Sequence, residues 1–149
     1  LIPVAFSKEN VKYLKKYAPI GARDYFTLNL LRTYKIPSYF SGCLTLTLHK
    51  DQVEREDVIY AVDLDKECIE YIRSKTTTPV VPITHESDKF YSMSLDERLN
   101  LARDLLEKYK RAKCVVTCRL HAALPCLAFE TPLLFVNTQG DQSRFDGLI

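Results

Sequence analysis

Glycine is scarce in this chain, with 4 residues in 149, and the 7 prolines are spread along it, so collagen-like and low-complexity classes are excluded. No window approaches about 18 consecutive apolar residues, and no transmembrane helix is expected. An excess of one charge is also missing. Twenty-one Lys+Arg face 19 Asp+Glu, a formal +2, too little to point to nucleic acid or an anionic membrane as partner. Any basic site must therefore be local. No basic and then apolar leader ends at a small-residue cleavage site. Internal repeats, a phosphate-binding glycine loop, a GxSxG elbow and an HExxH helix are absent as well.

What is present has ordinary globular proportions, 46% hydrophobic and 27% charged. A chain of this length buries roughly 68–70% of its extended surface on folding. Five cysteines, Cys43, Cys68, Cys114, Cys118 and Cys126, are odd in number and lie mostly in apolar stretches. They predict buried thiols in a reducing compartment, hence a cytoplasmic protein. The chain has no initiator Met and stops at Gly147-Leu148-Ile149, where an apolar segment is starting. It is expected to be a piece of a longer protein.

Short apolar runs alternate with helical periods, the mark of a parallel α/β sheet. Residues 2–6 read as a strand, and Ser7 caps a helix with apolar positions Val11, Leu14 and Ala18. Residues 19–22 are the next strand, Asp24 caps a helix with Leu28 and Leu31 inward, and 36–40 return as a strand. The stretch 41–48 is apolar and β-branched without a clear order. Residues 50–57 carry charges of both signs and no apolar period, which suggests a linker.

A second series follows. Residues 58–62 form a strand, Asp65 opens a helix with Ile69 and Ile72 inward, and 80–83 form a strand. Ser94 and Glu97 make a capping box ahead of Leu95, Leu99, Ala102, Leu106 and Tyr109 at helical spacing. Residues 114–117 are a buried strand, 119–130 a helix and 132–136 a strand. Pro125 falls inside that helix, which must kink there or start later.

In open α/β sheets, ligands bind beyond the carboxyl ends of the strands, where helix N-termini attract anions. That rule selects Arg23, Asp63, His85, Glu86, Arg119, His121 and Arg144. Arg119-Leu120-His121 sets a fork-shaped cation two residues from a titratable ring, directly after an apolar strand. It either binds an anion and moves a proton, or Arg119 caps carbonyls or pairs with an acid while His121 fills a polar spot. Arg23 is either a ligand contact or the solvated neighbour of the cap Asp24. Cys114 and Cys118 lie on one face without the partner pair that zinc needs, so core packing is the expected role and no metal site is predicted. His85-Glu86 reads as loop and His49 as solvent-facing.

Gly21-Ala22-Arg23-Asp24, then the run 41–48 beginning Ser41-Gly42-Cys43, then Thr117-Cys118-Arg119-Leu120-His121-Ala122 resemble, in this order, elements of the polysaccharide pyruvyl transferase family. The resemblance implies Rossmann-like parallel sheets with flanking helices, in a GT-B-like two-domain architecture of which this chain is part. Residues 1–50 would end the first domain, 51–57 link it to the second, and 58–149 form an incomplete second domain. It also implies transfer of the pyruvyl group of phosphoenolpyruvate to two sugar hydroxyls as a ketal, with release of phosphate, in surface or capsular polysaccharide biosynthesis. Arg23, Arg119 and Arg144 would bind the donor and His121 would be the general acid, with no cofactor beyond the donor substrate. Expected partners are phosphoenolpyruvate, a saccharide acceptor and the rest of the full-length chain. A glycosyltransferase using a nucleotide-sugar donor and a non-catalytic anion-binding module are the competing readings.

Overall fold

The computed structural model describes residues 6–86, 88–136 and 145–148. The chain divides into two compact units, one of Leu1–Cys43 with Gly140–Ile149 and one of Leu44–Gln139. The strand expected at 2–6 and the donor-binding candidate Arg144 lie outside the described residues. The expected linker 51–57 falls within the second unit.

The first unit contains α1 (Lys8–Lys16), β1 (Ile20–Ala22), α2 (Tyr25–Thr33) and β2 (Ser38–Phe40). Ser7 Oγ accepts from the Asn10 amide and starts α1, which ends before Ala18. Asp24 caps α2 by accepting from the Thr27 amide at 2.7 Å. This helix turns Leu28 and Leu31 onto a core shared with Ala22 and Ile36. β1 and β2 pair in parallel, with Gly21 opposite Tyr39. A Cβ on Gly21 would come within 3.1 Å of Ser41, and the Ser41 amide donates to the Ala22 carbonyl at 2.9 Å. The Gly-Ala-Arg-Asp and Ser-Gly-Cys elements are therefore neighbours at the carboxyl edge of this sheet. Gly42, at φ +67°, takes a left-handed conformation that suits glycine.

The second unit opens with a 3-10 turn at Leu44–Thr47, the stretch whose order the sequence left open. It continues through β3 (Ile59–Val62), α3 (Lys66–Lys75), β4 (Val80–Ile83), α4 (Leu95–Arg111), β5 (Cys114–Thr117), α5 (Leu120–Ala128) and β6 (Leu133–Phe135). The strands are parallel in the order β4-β3-β5-β6. β3 and β5 are central, and each buries three successive residues, as strands covered on both faces must. The fold is mixed α/β with parallel sheets flanked by helices, the Rossmann-like class expected.

Tyr60, Val62, Tyr109, Val115, Ala122, Cys126 and Phe129 form the core of this unit. Ser94 and Glu97 complete the capping box: the Ser94 amide donates to Glu97 at 2.7 Å and the Glu97 amide to Ser94 Oγ at 3.3 Å. Only the far end of the apolar stripe behind it is covered. Tyr109 is buried, whereas Leu95 and Leu99 are 71% and 46% exposed. Residues 50–57 are irregular, and Arg55 ties them down by donating to the carbonyls of Ala112 and Glu130 and to Thr131 Oγ1. Pro125 is accommodated inside α5, which starts at Leu120. Of the cysteines, Cys126 alone is fully buried and the other four are half-buried. Burial pushes the Cys126 thiol up to about 12, in keeping with a packing role. No described helix is long and apolar enough to cross a membrane.

Candidate functional site at the switch point of the second sheet

From β3 the chain runs outward to β4, and from β5 it runs the other way to β6. The crevice between the carboxyl ends of β3 and β5 is thus a topological switch point, the usual ligand position in such sheets. Asp63 follows β3, Thr84, His85 and Glu86 follow β4, and Cys118 and Arg119 follow β5.

Local sequence explains how these side chains are aimed. Thr117, fully buried, donates through Oγ1 to the Val62 carbonyl at 3.1 Å and accepts from the Arg119 amide at 3.0 Å. One hydroxyl thereby joins the two central strands and fixes the turn into α5. Cys118 Sγ donates to the Asp63 carbonyl at 3.2 Å. Asp63 sits at φ +52°, a left-handed conformation that short polar side chains tolerate best among non-glycine residues.

Four donors converge on the Asp63 carboxylate. Thr84 Oγ1 and the His85 amide reach Oδ1 at 2.8 and 3.1 Å, and His85 Nδ1 and Arg119 Nε reach Oδ2 at 2.8 and 3.1 Å. Burial alone would raise this carboxyl's pKa, but the hydrogen bonds from Thr84 and His85 outweigh it and hold the group below its usual value. A carboxylate only accepts, so His85 Nδ1 carries a proton. In the neutral ring Nε2 then accepts from the Tyr109 hydroxyl, 2.8 Å away. The chain Arg119–Asp63–His85–Tyr109 runs from the crevice into the core. Burial pushes the Tyr109 phenol well above its usual value, so it stays protonated as the donor. Arg119 also pairs with Glu86.

Two hollows adjoin this chain. One, of about 430 Å³, is bordered by Asp63, Asp65, Thr84, Glu86 and Arg119. The other, of about 440 Å³, is more apolar, with Leu48, Leu106 and Pro125 beside His85, Tyr109 and His121. The two sequence-selected residues Arg119 and His121 therefore border different hollows, which meet at Asp63–His85. Arg119 follows the acid-pairing alternative, and His121 is exposed at the rim of the second hollow. In the first unit, Arg23 donates from Nε and Nη2 to Asp24 Oδ2 at 3.3 and 3.1 Å. Burial favours the neutral Asp24 carboxyl, yet the Thr27 and Arg23 contacts hold its pKa below the usual value. No group of three or more potential metal ligands occurs among the described residues.

Sequence reasoning placed Asp63, His85 and Glu86 at strand ends without joining them, and read Tyr109 as core alone. The strand-end rule was the usable signal for the first three. Nothing in the spacing links Tyr109 to them.

A Rossmann-like α/β unit with an arginine, a carboxylate and an imidazole gathered at its switch point defines the broad class of this chain. The model of the polysaccharide pyruvyl transferase family matches residues 6–140, which include both the Gly-Ala-Arg-Asp and the Thr-Cys-Arg-Leu-His elements. The chain belongs to that family, a family of transferases. No curated protein and no solved structure matches it.

Proposed function

We propose that the full-length protein transfers the pyruvyl group of phosphoenolpyruvate to two hydroxyls of a saccharide as a ketal, in surface or capsular polysaccharide biosynthesis in the cytoplasm. The observation that carries this reading is the placement of Arg119 at the switch point, at the start of the helix that bears His121, in a chain of this family. The donor needs cations at its phosphate and carboxylate, and Arg119 with the first amides of α5 supplies positive potential there. Arg23 and Arg144 are the further donor contacts in this reading.

His121 gives a proton to the methylene carbon, C2 becomes oxocarbenium-like, and a sugar hydroxyl adds to it. The C2–O bond to phosphate breaks as the second hydroxyl closes the ketal. The two hydroxyl protons restore the acid and leave with phosphate. Proton transfer by a placed side chain contributes about 10²–10⁴-fold, which sets the expected loss for His121→Ala.

The test is incubation of the full-length protein with phosphoenolpyruvate and a glycan panel, followed by phosphate release and mass spectrometry for pyruvate added with loss of water. His121→Ala should slow release by about 10²–10⁴-fold while its circular dichroism stays that of the wild type. Normal turnover in that variant removes His121 as the acid. Binding of nucleotide-sugars in place of phosphoenolpyruvate overturns the donor assignment.

A further inference from the structure

The two carboxylates on Arg119 differ in kind. Asp63 is 5% exposed and holds the guanidinium at Nε, while its remaining lone pairs are committed to Thr84 and His85. It cannot withdraw without abandoning four donors at once. Glu86 is 78% exposed and accepts from Nη2. Its carboxylate has no other side-chain hydrogen bond among the described residues, so its withdrawal into water breaks a single contact. The hollow they share presents Asp63, Asp65 and Glu86 to one guanidinium, and Asp65 is committed to capping α3 through the Cys68 amide. An incoming anion therefore meets an arginine that is already neutralised, and the exchangeable part of that neutralisation is Glu86.

We propose that the Glu86 carboxylate occupies the anion subsite of Arg119: a phosphate or carboxylate group of the ligand binds by taking over the Nη2 edge, while Asp63 keeps Nε and the orientation of the fork. Glu86 is thus an internal competitor that sets the affinity of the site, and Asp63 is a positioning residue. The proposal rests on the reading of Arg119 as a donor-binding residue. An exposed ion pair of this kind lowers the apparent affinity of a competing anion by about two- to fivefold.

Calorimetric titration of the full-length protein with inorganic phosphate and with phosphoenolpyruvate tests this in four forms: wild type, Glu86→Gln, Arg119→Gln and Glu70→Gln. The last removes an equal charge from an exposed pair with Arg73 on α3, away from the hollow. Glu86→Gln should bind both probes about two- to fivefold more tightly, Glu70→Gln should match the wild type, and Arg119→Gln should lose binding. Unchanged or weaker binding by Glu86→Gln, with binding still lost in Arg119→Gln, overturns the subsite and leaves the donor role of Arg119 standing. An equal gain in Glu70→Gln reduces the effect to net charge and also overturns it. Wild-type affinity in Arg119→Gln removes the donor role itself, and the subsite with it.

Discussion

Replacing Asp63 by Asn asks how much of the crevice one carboxylate organises. Asn tolerates the left-handed backbone at this position, so the conformational cost changes little. Its carbonyl oxygen can keep the Thr84 hydroxyl and the His85 amide, at 2.8 and 3.1 Å in the wild type. Its NH₂ group replaces the oxygen that faces His85 Nδ1 and Arg119 Nε, both donors. His85 can recover by changing tautomer, with Nδ1 accepting and Nε2–H donating to Tyr109. Arg119 has no acceptor and cannot. The net loss is one charge-assisted hydrogen bond, about 1.5 kcal/mol when the half-exposed guanidinium is taken into account. Asp63→Ala removes all four contacts as well as the tolerated backbone conformation, and should cost about 4 kcal/mol or more.

Denaturant titration of the full-length protein measures both, and pH adds an independent sign. Because the folded pKa of Asp63 is depressed, its stabilisation is fully present above the unfolded value of about 3.9 and disappears as pH falls through the lower folded value. The wild type should therefore lose stability more steeply than Asp63→Asn below about pH 4. An Asn variant within about 0.5 kcal/mol of the wild type at neutral pH, with the same acid slope, would mean that the Asp63 charge does not organise the crevice.

Other perturbations address the supports of the site. Tyr109→Phe removes the donor to His85 Nε2 and should cost about 1 kcal/mol in denaturant titration, with a shift in the His85 ring resonances; unchanged resonances would break the link from core to crevice. Leu124→Ala, at a fully buried position of α5, should cost about 2–5 kcal/mol, and a loss below 1 kcal/mol would mean that the helix is not packed as described. Asp24→Ala should cost about 1 kcal/mol and speed amide exchange in the first turn of α2, because it removes the Thr27 contact.

The elements of this fold were legible where chemistry is local. Ser7, Asp24, Asp65 and Ser94 cap helices in the structure as their spacing predicts, and the boundaries of β5 are those of its apolar run. The 3-10 turn at 44–47 was not legible, because an apolar, β-branched stretch suits a strand equally well, and packing against α5 decides the matter. The exposure of Leu95 and Leu99 was hidden for the same reason: periodicity marks a face and says nothing about what covers it. At the site, the strand-end rule found Arg119, His85 and Asp63 one by one. Their convergence depends on the strand order β4-β3-β5, which brings Arg119 onto the carboxylate of Asp63, 56 residues away in sequence. The Arg119–Glu86 pair arises from that same order.

A crystal structure of the full-length protein with phosphoenolpyruvate bound tests the donor site most directly. A phosphate or carboxylate oxygen should lie within hydrogen-bond distance of the Arg119 Nη atoms, with Glu86 turned out to solvent, Asp63 still on Nε, and the His121 ring facing the methylene carbon. Donor density elsewhere, with Arg119 still holding both carboxylates, would contradict it.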